Sequence, residues 1–389
     1  MSLETELDVL MQRAVESRAL AGVVLTAGRA GDVLYQGAAG KRVVDGPDAM
    51  TPDTVMFLAS MTKALTGALA MQLVERGRLA LDAPAADLLP ELERVQVLEG
   101  FDPTTGEPRL RAPRRPVTLR NLLTHSAGFA YEFWNADVGR WLEKRGVPSV
   151  LSGQRAAFDL PLMHDPDAAW SYGQSIDFAG RLVEVASGET LTEFARKNLF
   201  EPLRMTSTSF RITPDQRARL ATMHTRTPDG GLAAYPFELD PAAEQDMGGH
   251  SVYGTAPDYL RFVRMLLGRG ELEGTRVLEA DTVATMSQNQ MGDLRVRKLS
   301  TVTPGFTLDC DFYPGMPCTW GLSFLINTRR TPEGRSPGSL AWAGICNNYW
   351  WADPQRDIAG VMYSQLLPFC DERALGVFRD FERAVYRAQ

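Results

Sequence analysis

Residues 57–69 read Phe57-Leu58-Ala59-Ser60-Met61-Thr62-Lys63-Ala64-Leu65-Thr66-Gly67-Ala68-Leu69, a run of small and apolar residues with one serine and one lysine set into it. On a helix, residues three apart share a face and lie about 4.5 Å apart along the axis. A hydroxyl and an amine so placed can exchange a proton. The first turn of a helix also carries free N–H groups and partial positive charge. That field favours an alkoxide at Ser60 and disfavours an ammonium at Lys63. Apolar flanks lower the lysine further. A lysine buried among apolar residues is otherwise hard to account for, although its stem could simply snorkel to solvent. The run reads as an activated serine nucleophile.

Working outward, 389 residues suffice for one large or two medium domains. The net charge of −7 has no basic block with interleaved aromatics, which argues against nucleic acid. No apolar run approaches the length of a membrane span. The opening Met1-Ser2-Leu3-Glu4-Thr5-Glu6 is acidic and does not read as a signal peptide, so the expected compartment is the cytoplasm. Cys310, Cys318, Cys346 and Cys370 form no C-x-x-C pair and read as free thiols, with a Cys310–Cys318 bridge the lesser alternative. His125, His164, His224 and His250 show no metal-ligand spacing, so neither metal nor cofactor is expected.

Periodicity places an amphipathic helix at 3–18 and a hairpin at Gly22–Ala27 and Val33–Gly37. The Ser60 helix should stop at Arg76-Gly77. Helices are expected at Leu119–Leu123, Ile176–Ser187, Thr192–Leu199 and Pro257–Leu267. The long aperiodic stretch 288–319 reads as a lid or pocket wall. Strands return at Gly321–Ile326, Leu340–Trp342, Tyr349–Ala352 and Ile358–Leu366, before a closing helix at Glu372–Arg387. Strands close in sequence imply an antiparallel meander. The fold class is therefore α+β. Residues 1–58 and 250–389 would form a discontinuous lobe, a central antiparallel sheet flanked by helices. Residues 59–249 would form an inserted, mostly helical lobe, with the active site between the two.

Four stretches together carry a resemblance: Ser60-Met61-Thr62-Lys63, Leu122–Gly128, Trp170-Ser171-Tyr172-Gly173-Gln174-Ser175-Ile176-Asp177, and Trp342-Ala343-Gly344 before a strand. Their order and spacing resemble the serine β-lactamase and penicillin-binding-protein superfamily. Within it the chain is similar to class C β-lactamase-related carboxylesterases, the family VIII esterases. The resemblance implies a β-lactamase/transpeptidase-like fold, with Ser60 as nucleophile, Lys63 as its partner and Tyr172 as the catalytic tyrosine. Gln174 stands where the family's asparagine would be. Trp342 replaces a lysine that would pair with a β-lactam carboxylate, and offers an apolar wall instead. Gly344 would let the strand approach substrate closely.

The mechanism so implied is attack of Ser60 on an ester carbonyl, with Lys63 or Tyr172 as base. Lys63 beside Tyr172 would favour a phenolate, and the pair would titrate as a unit. The backbone N–H groups of Ser60 and Ile345 would form the oxyanion hole. Tyr131, Phe133, Trp134, Trp342, Ala343 and one of Trp350 and Trp351 would join Gln174 as pocket wall, since strands alternate faces. His125, which lacks a nucleophile-elbow setting, reads as structural. The expected function is a carboxylesterase for small or short-chain esters. The alternatives are an acyltransferase of the same fold, a β-lactamase, a D-amino-acid peptidase or an oligoamide hydrolase. A non-catalytic module is disfavoured by the presence of Ser60, Lys63 and Tyr172. The expected partner is a small-molecule ester, without nucleic acid or membrane, and the oligomeric state is left open.

Overall fold

The two ends of the chain share one sheet. In the computed structural model, which describes residues 2–389, strand Gly22–Gly28 pairs antiparallel with Ile358–Tyr363, Val24 opposite Tyr363. Every residue of both strands is buried, as a central strand covered on both faces requires. The sheet has seven strands in the order Cys318–Trp320, Leu325–Asn327, Leu340–Gly344, Asn348–Asp353, Ile358–Tyr363, Gly22–Gly28, Val33–Gly40, and every pairing is antiparallel. This α+β architecture is the expected one.

The expected single strand Gly321–Ile326 is instead two, Cys318–Trp320 and Leu325–Asn327, paired as a hairpin. Gly321 lies at the turn because its backbone passes too close to the Met286 carbonyl for any side chain. The strand Asn348–Asp353 alternates as a pleated strand must. Trp351 packs on Phe378 and Phe381 of the closing helix Glu372–Arg387, and Trp350 packs on Tyr259 of the helix Ala256–Leu267. Both tryptophans are fully buried in helix–sheet layers. The expectation that one of them walls the pocket is corrected.

The remaining helices cover the other side of the site. Thr62–Glu75 packs on Ser175–Ser187, and the Met247–Gly249 turn threads between them, Thr66 Oγ1 donating to Gly248 O over 2.7 Å. Gly248 and Gly249 are needed there. A Cβ at Gly248 would sit 2.9 Å from Ile176 O, and one at Gly249 2.7 Å from the Asp177 carboxylate. Among the described residues no helix is long and apolar enough to cross a membrane.

The cysteines correct the free-thiol reading. Cys310 and Cys370 form a disulfide across 60 residues, while Cys318 and Cys346 stay reduced and buried. The bridge ties the 288–319 stretch to the chain just before the closing helix, and Thr307 bridges Phe369 beside it.

Candidate active site

Ser60 sits where a strand is forced into a helix. Met56–Phe57 pairs with Tyr253–Gly254, and Asn348 and Gln365 donate side-chain amides to Phe57 O at 3.0 and 2.9 Å. The chain then turns sharply. Ala59 takes a left-handed φ of 49°, which for a residue with a Cβ costs on the order of 1 kcal/mol. A short 3-10 turn, Ala59–Met61, feeds the helix Thr62–Glu75. The first backbone bond of the turn runs from Met61 N–H to Leu58 O, so the Ser60 N–H precedes it. On the facing strand, the Gly344 backbone lies against this turn: a Cβ there would be 2.4 Å from Leu58 O. Gly344 therefore serves the site by letting strand and turn touch, rather than by facing the cleft. Ile345, the next residue, lines the cleft with Ser60.

Lys63 is fully buried, with its amine 3.0 Å from Ser60 Oγ, 3.0 Å from the Tyr131 hydroxyl and 2.9 Å from Gly249 O. Burial pulls its pKa below the lysine range, against the pull of the nearby Asp177 charge. Tyr172 faces Ser60 and accepts the Trp342 indole N–H over 3.0 Å. Burial pushes its phenol up, which the Ser60 and Trp342 hydrogen bonds only partly offset. Burial therefore favours the neutral phenol over the phenolate expected from the sequence. Lys63 lies over its ring face, 4.9 Å from the centroid, instead of bonding its oxygen.

Both tyrosines reach the same lysine because two segments touch along their backbones. Tyr131 N–H donates to Tyr172 O at 3.3 Å, and Gly173 leaves room for the Phe129–Ala130 backbone, which a Cβ would meet at 2.3 Å. Tyr131 was expected as pocket wall only. It lines the cleft and also contacts the lysine amine. Asp177, in the first turn of the helix Ser175–Ser187, is buried and accepts the Gly249 N–H over 2.8 Å. Sequence reasoning assigned it no role, although an aspartate set between Ile176 and Phe178 in an apolar helix was a signal.

The cleft above Ser60 is open on one side and has a cavity volume of about 40 Å³. Phe133, Trp134, Trp342 and Ala343 line it, joined by Phe57, Phe237, Phe306, Leu367 and Phe369, to which the sequence reading gave no place in the pocket. Phe306 is the contribution of the 288–319 stretch, held by Val302 N–H on Phe133 O at 3.0 Å and by a tilted contact of the Phe306 and Phe133 rings, their centroids 5.0 Å apart. Gln174 does not reach the cleft. It is buried, with its amide donating to Ala157 O at 3.0 Å. Trp350 is absent from the cleft for the layer reason above.

His125 caps the helix Leu119–Thr124 and packs among Trp170, Tyr172 and Trp320 with neither ring nitrogen hydrogen-bonded. Burial and the nearby Lys63 charge keep it neutral. Among the described residues no group of three or more His, Cys, Asp or Glu side chains is arranged to hold a metal.

A serine, a buried lysine, two phenols and a strand edge meeting at one cleft can be compared with known proteins. The family described as "Beta-lactamase" matches residues 7–382. The chain belongs to the β-lactamase family. Monacolin J acid methylbutanoyltransferase of Aspergillus terreus is 32% identical, over 98% of this chain and 95% of that protein. Lovastatin esterase of Penicillium rubens is 30% identical, over 98% of each chain. The solved simvastatin synthase (LovD) of Aspergillus terreus superposes with a TM-score of 0.84 at 31% identity, covering 98% of this chain and 97% of that one. EstCE1, a hydrolase with promiscuous acyltransferase activity, shares the fold at a TM-score of 0.79 and 23% identity, covering 99% of this chain and 98% of that one. This β-lactamase-family chain is thus an enzyme of the serine hydrolase and acyltransferase superfamily with a β-lactamase/transpeptidase-like fold.

Proposed function

We propose that the chain is a serine acyltransferase that also hydrolyses esters: it loads a small acyl group onto Ser60 and passes it to the hydroxyl of a bulky apolar acceptor, or to water. The observation that carries this reading is the placement of Ser60, with Lys63 buried behind it, at the floor of a cleft walled almost wholly by aromatic and aliphatic side chains. Such walls hold an apolar acceptor by burial and offer few polar groups to orient a water. The relatives' names support the same order. One is a methylbutanoyltransferase and another an esterase, so transfer is the leading reaction and hydrolysis accompanies it.

The polar contacts fit a lysine base. A neutral amine has two N–H bonds and one lone pair. Gly249 O can only accept, so it takes one N–H; the Tyr131 oxygen takes the other. The lone pair then faces Ser60. Ser60 gives its proton to Lys63 as its Oγ bonds the acyl carbon. The carbonyl oxygen takes up the electron pair and is held by the Ser60 and Ile345 N–H groups. The C–O bond to the donor alcohol breaks, and that oxygen receives the proton from Lys63. An acceptor hydroxyl then returns along the same path: it yields a proton to Lys63, bonds the acyl carbon, and Ser60 leaves with the proton. Tyr172, a neutral phenol fixed by Trp342, donates to the Ser60 oxygen as it leaves.

The test is product partition. Purified protein is acylated with p-nitrophenyl butyrate in the presence of ethanol or of cyclohexanol at equal concentration. Cyclohexyl butyrate should exceed ethyl butyrate, and Ser60→Ala should make neither. Capture of every acyl group by water, whatever the alcohol, reduces the enzyme to an esterase. Full activity in Ser60→Ala removes the assignment, and faster turnover of a chromogenic cephalosporin makes it a β-lactamase.

A further inference from the structure

We propose that Asp177 is the positioning residue of the Ser60–Lys63 pair: its carboxylate fixes Gly249, whose carbonyl holds the Lys63 amine against Ser60, and it supplies the counter-charge when Lys63 takes the proton. The inference rests on the reading of Ser60 and Lys63 as the reacting pair. Asp177 Oδ1 accepts Gly249 N–H at 2.8 Å, and the same residue's carbonyl accepts from Lys63 Nζ at 2.9 Å. One residue, through the two peptide groups that flank its Cα, thus links acid and amine. Gly249 must be glycine for this, because a Cβ would strike both carboxylate oxygens, at 2.7 and 2.9 Å.

Asp177 is also poorly satisfied for a structural carboxylate. It is buried, and Oδ2 has no hydrogen-bond partner. A buried charge so placed needs a compensating charge nearby. Lys63, once it holds the Ser60 proton, is the cation that supplies it. The other titratable groups around the lysine and the carboxylate are Tyr131 and Tyr172 from the two touching segments, His125 from the turn after Leu119–Thr124, and His250, whose Nδ1 is 3.8 Å from Asp177 Oδ1. Glu132 lies next to Tyr131, with its carboxylate taken by Ser149 at 2.6 Å. Burial keeps both histidines neutral and both phenols protonated. Burial also raises the Asp177 carboxyl, to about 6, against the pull of the Lys63 charge and the Gly249 N–H, so above that pH Asp177 is the anion of the group. When Ser60 passes its proton to Lys63, an ion pair completes across Gly249, and the acyl-transfer step creates no isolated charge.

The chain has five lysines, so [13Cε]lysine NMR gives few signals, and Lys63→Arg assigns the one that matters. In the native protein the Lys63 signal should titrate in two steps, one its own and a smaller one at more acid pH as Asp177 takes a proton. In Asp177→Asn, which keeps the carbonyl that accepts Gly249 N–H, the acid step should vanish. The main step should then move to lower pH by about one unit, because an ammonium without its counter-ion is less stable. The acid limb of kcat/KM should follow, with KM unchanged. A single step in the native protein overturns the proposal, and so does an unmoved main step in Asp177→Asn. Should the variant not fold, the native two-step titration decides. These outcomes leave the Ser60 reading intact; only loss of the Ser60 acyl-enzyme removes that.

Discussion

The indole N–H of Trp342 donates to the phenol oxygen of Tyr172 over 3.0 Å, with the ring centroids 4.9 Å apart. Trp342 is therefore more than an apolar wall in place of a lysine: it fixes the phenol that faces Ser60. Trp342→Phe keeps the wall and loses the donor. A buried hydrogen bond of this kind contributes about 1 kcal/mol, so kcat should fall roughly 3- to 10-fold with KM nearly constant. Steady-state kinetics on p-nitrophenyl butyrate measure it. A KM effect alone would show that the indole acts as wall only.

Gly344 makes a different kind of contribution, and Gly344→Ala exposes it. The new Cβ would lie 2.4 Å from Leu58 O and 3.5 Å from Ala59 Cβ, so strand and turn must part. The neighbouring Ile345 N–H moves with the strand. Overpacking of this kind costs about 1–3 kcal/mol of stability. Loss of a misplaced oxyanion donor costs roughly 10²-fold in kcat. Thermal unfolding and kinetics should change together. A variant with a lower Tm and native kcat would remove Ile345 from the oxyanion hole.

Why some of this was legible and some not follows from the range of the interactions. Ser60 and Lys63 meet through a three-residue helical spacing, which is local. The closing helix Glu372–Arg387 appears from its apolar stripe with the bounds expected of it. The shared sheet of the two chain ends follows from strand pattern at both ends. The Lys63–Gly249 contact has no such signal, because its acceptor is a backbone carbonyl, which every residue carries, 186 residues away. Tyr131 reads as another aromatic in an aromatic segment until Gly173 brings it against Tyr172. Trp350 and Trp351 obey the alternation of a strand, but only the positions of the helices Ala256–Leu267 and Glu372–Arg387 show that neither face is the cleft. The Cys310–Cys370 pairing is equally non-local, since spacing alone favours the nearer Cys318.

The proposed lysine base predicts the direction of the pH dependence. A protonated Lys63 cannot accept the Ser60 proton, so activity is lost as pH falls through its pKa. Burial brings that pKa down from 10.5 to about 7, so the acid limb of kcat/KM lies far below the ordinary lysine range. Stability has the same sign. The unfolded chain binds a proton at Lys63 up to the ordinary lysine value, whereas the folded chain releases it near neutrality. Folding stability from this group therefore rises with pH between those two values. Lys63→Arg should abolish the limb together with the activity, by about 10²- to 10⁴-fold, because a guanidinium does not deprotonate there. Wild-type-like activity in this variant would assign the base to another group.

The Cys310–Cys370 bridge should matter to both stability and substrate range. It closes a loop of 60 residues, for which the chain-entropy argument gives about 4 kcal/mol at most. The bridge also holds cleft residues in place. Phe369 precedes Cys370 and lines the cleft, and Phe369 N–H donates to Phe306 O at 3.0 Å on the far side. Cys370→Ser leaves the Ser60–Lys63–Tyr172 contacts untouched and loosens that wall. The variant should melt several degrees below the native protein. It should keep kcat on p-nitrophenyl acetate within about twofold while KM for bulky apolar acceptors rises. Reduction of the native protein should reproduce the shift, and reduction of Cys370→Ser should add nothing. Equal KM values for small and bulky acceptors in both proteins would confine the bridge to stability.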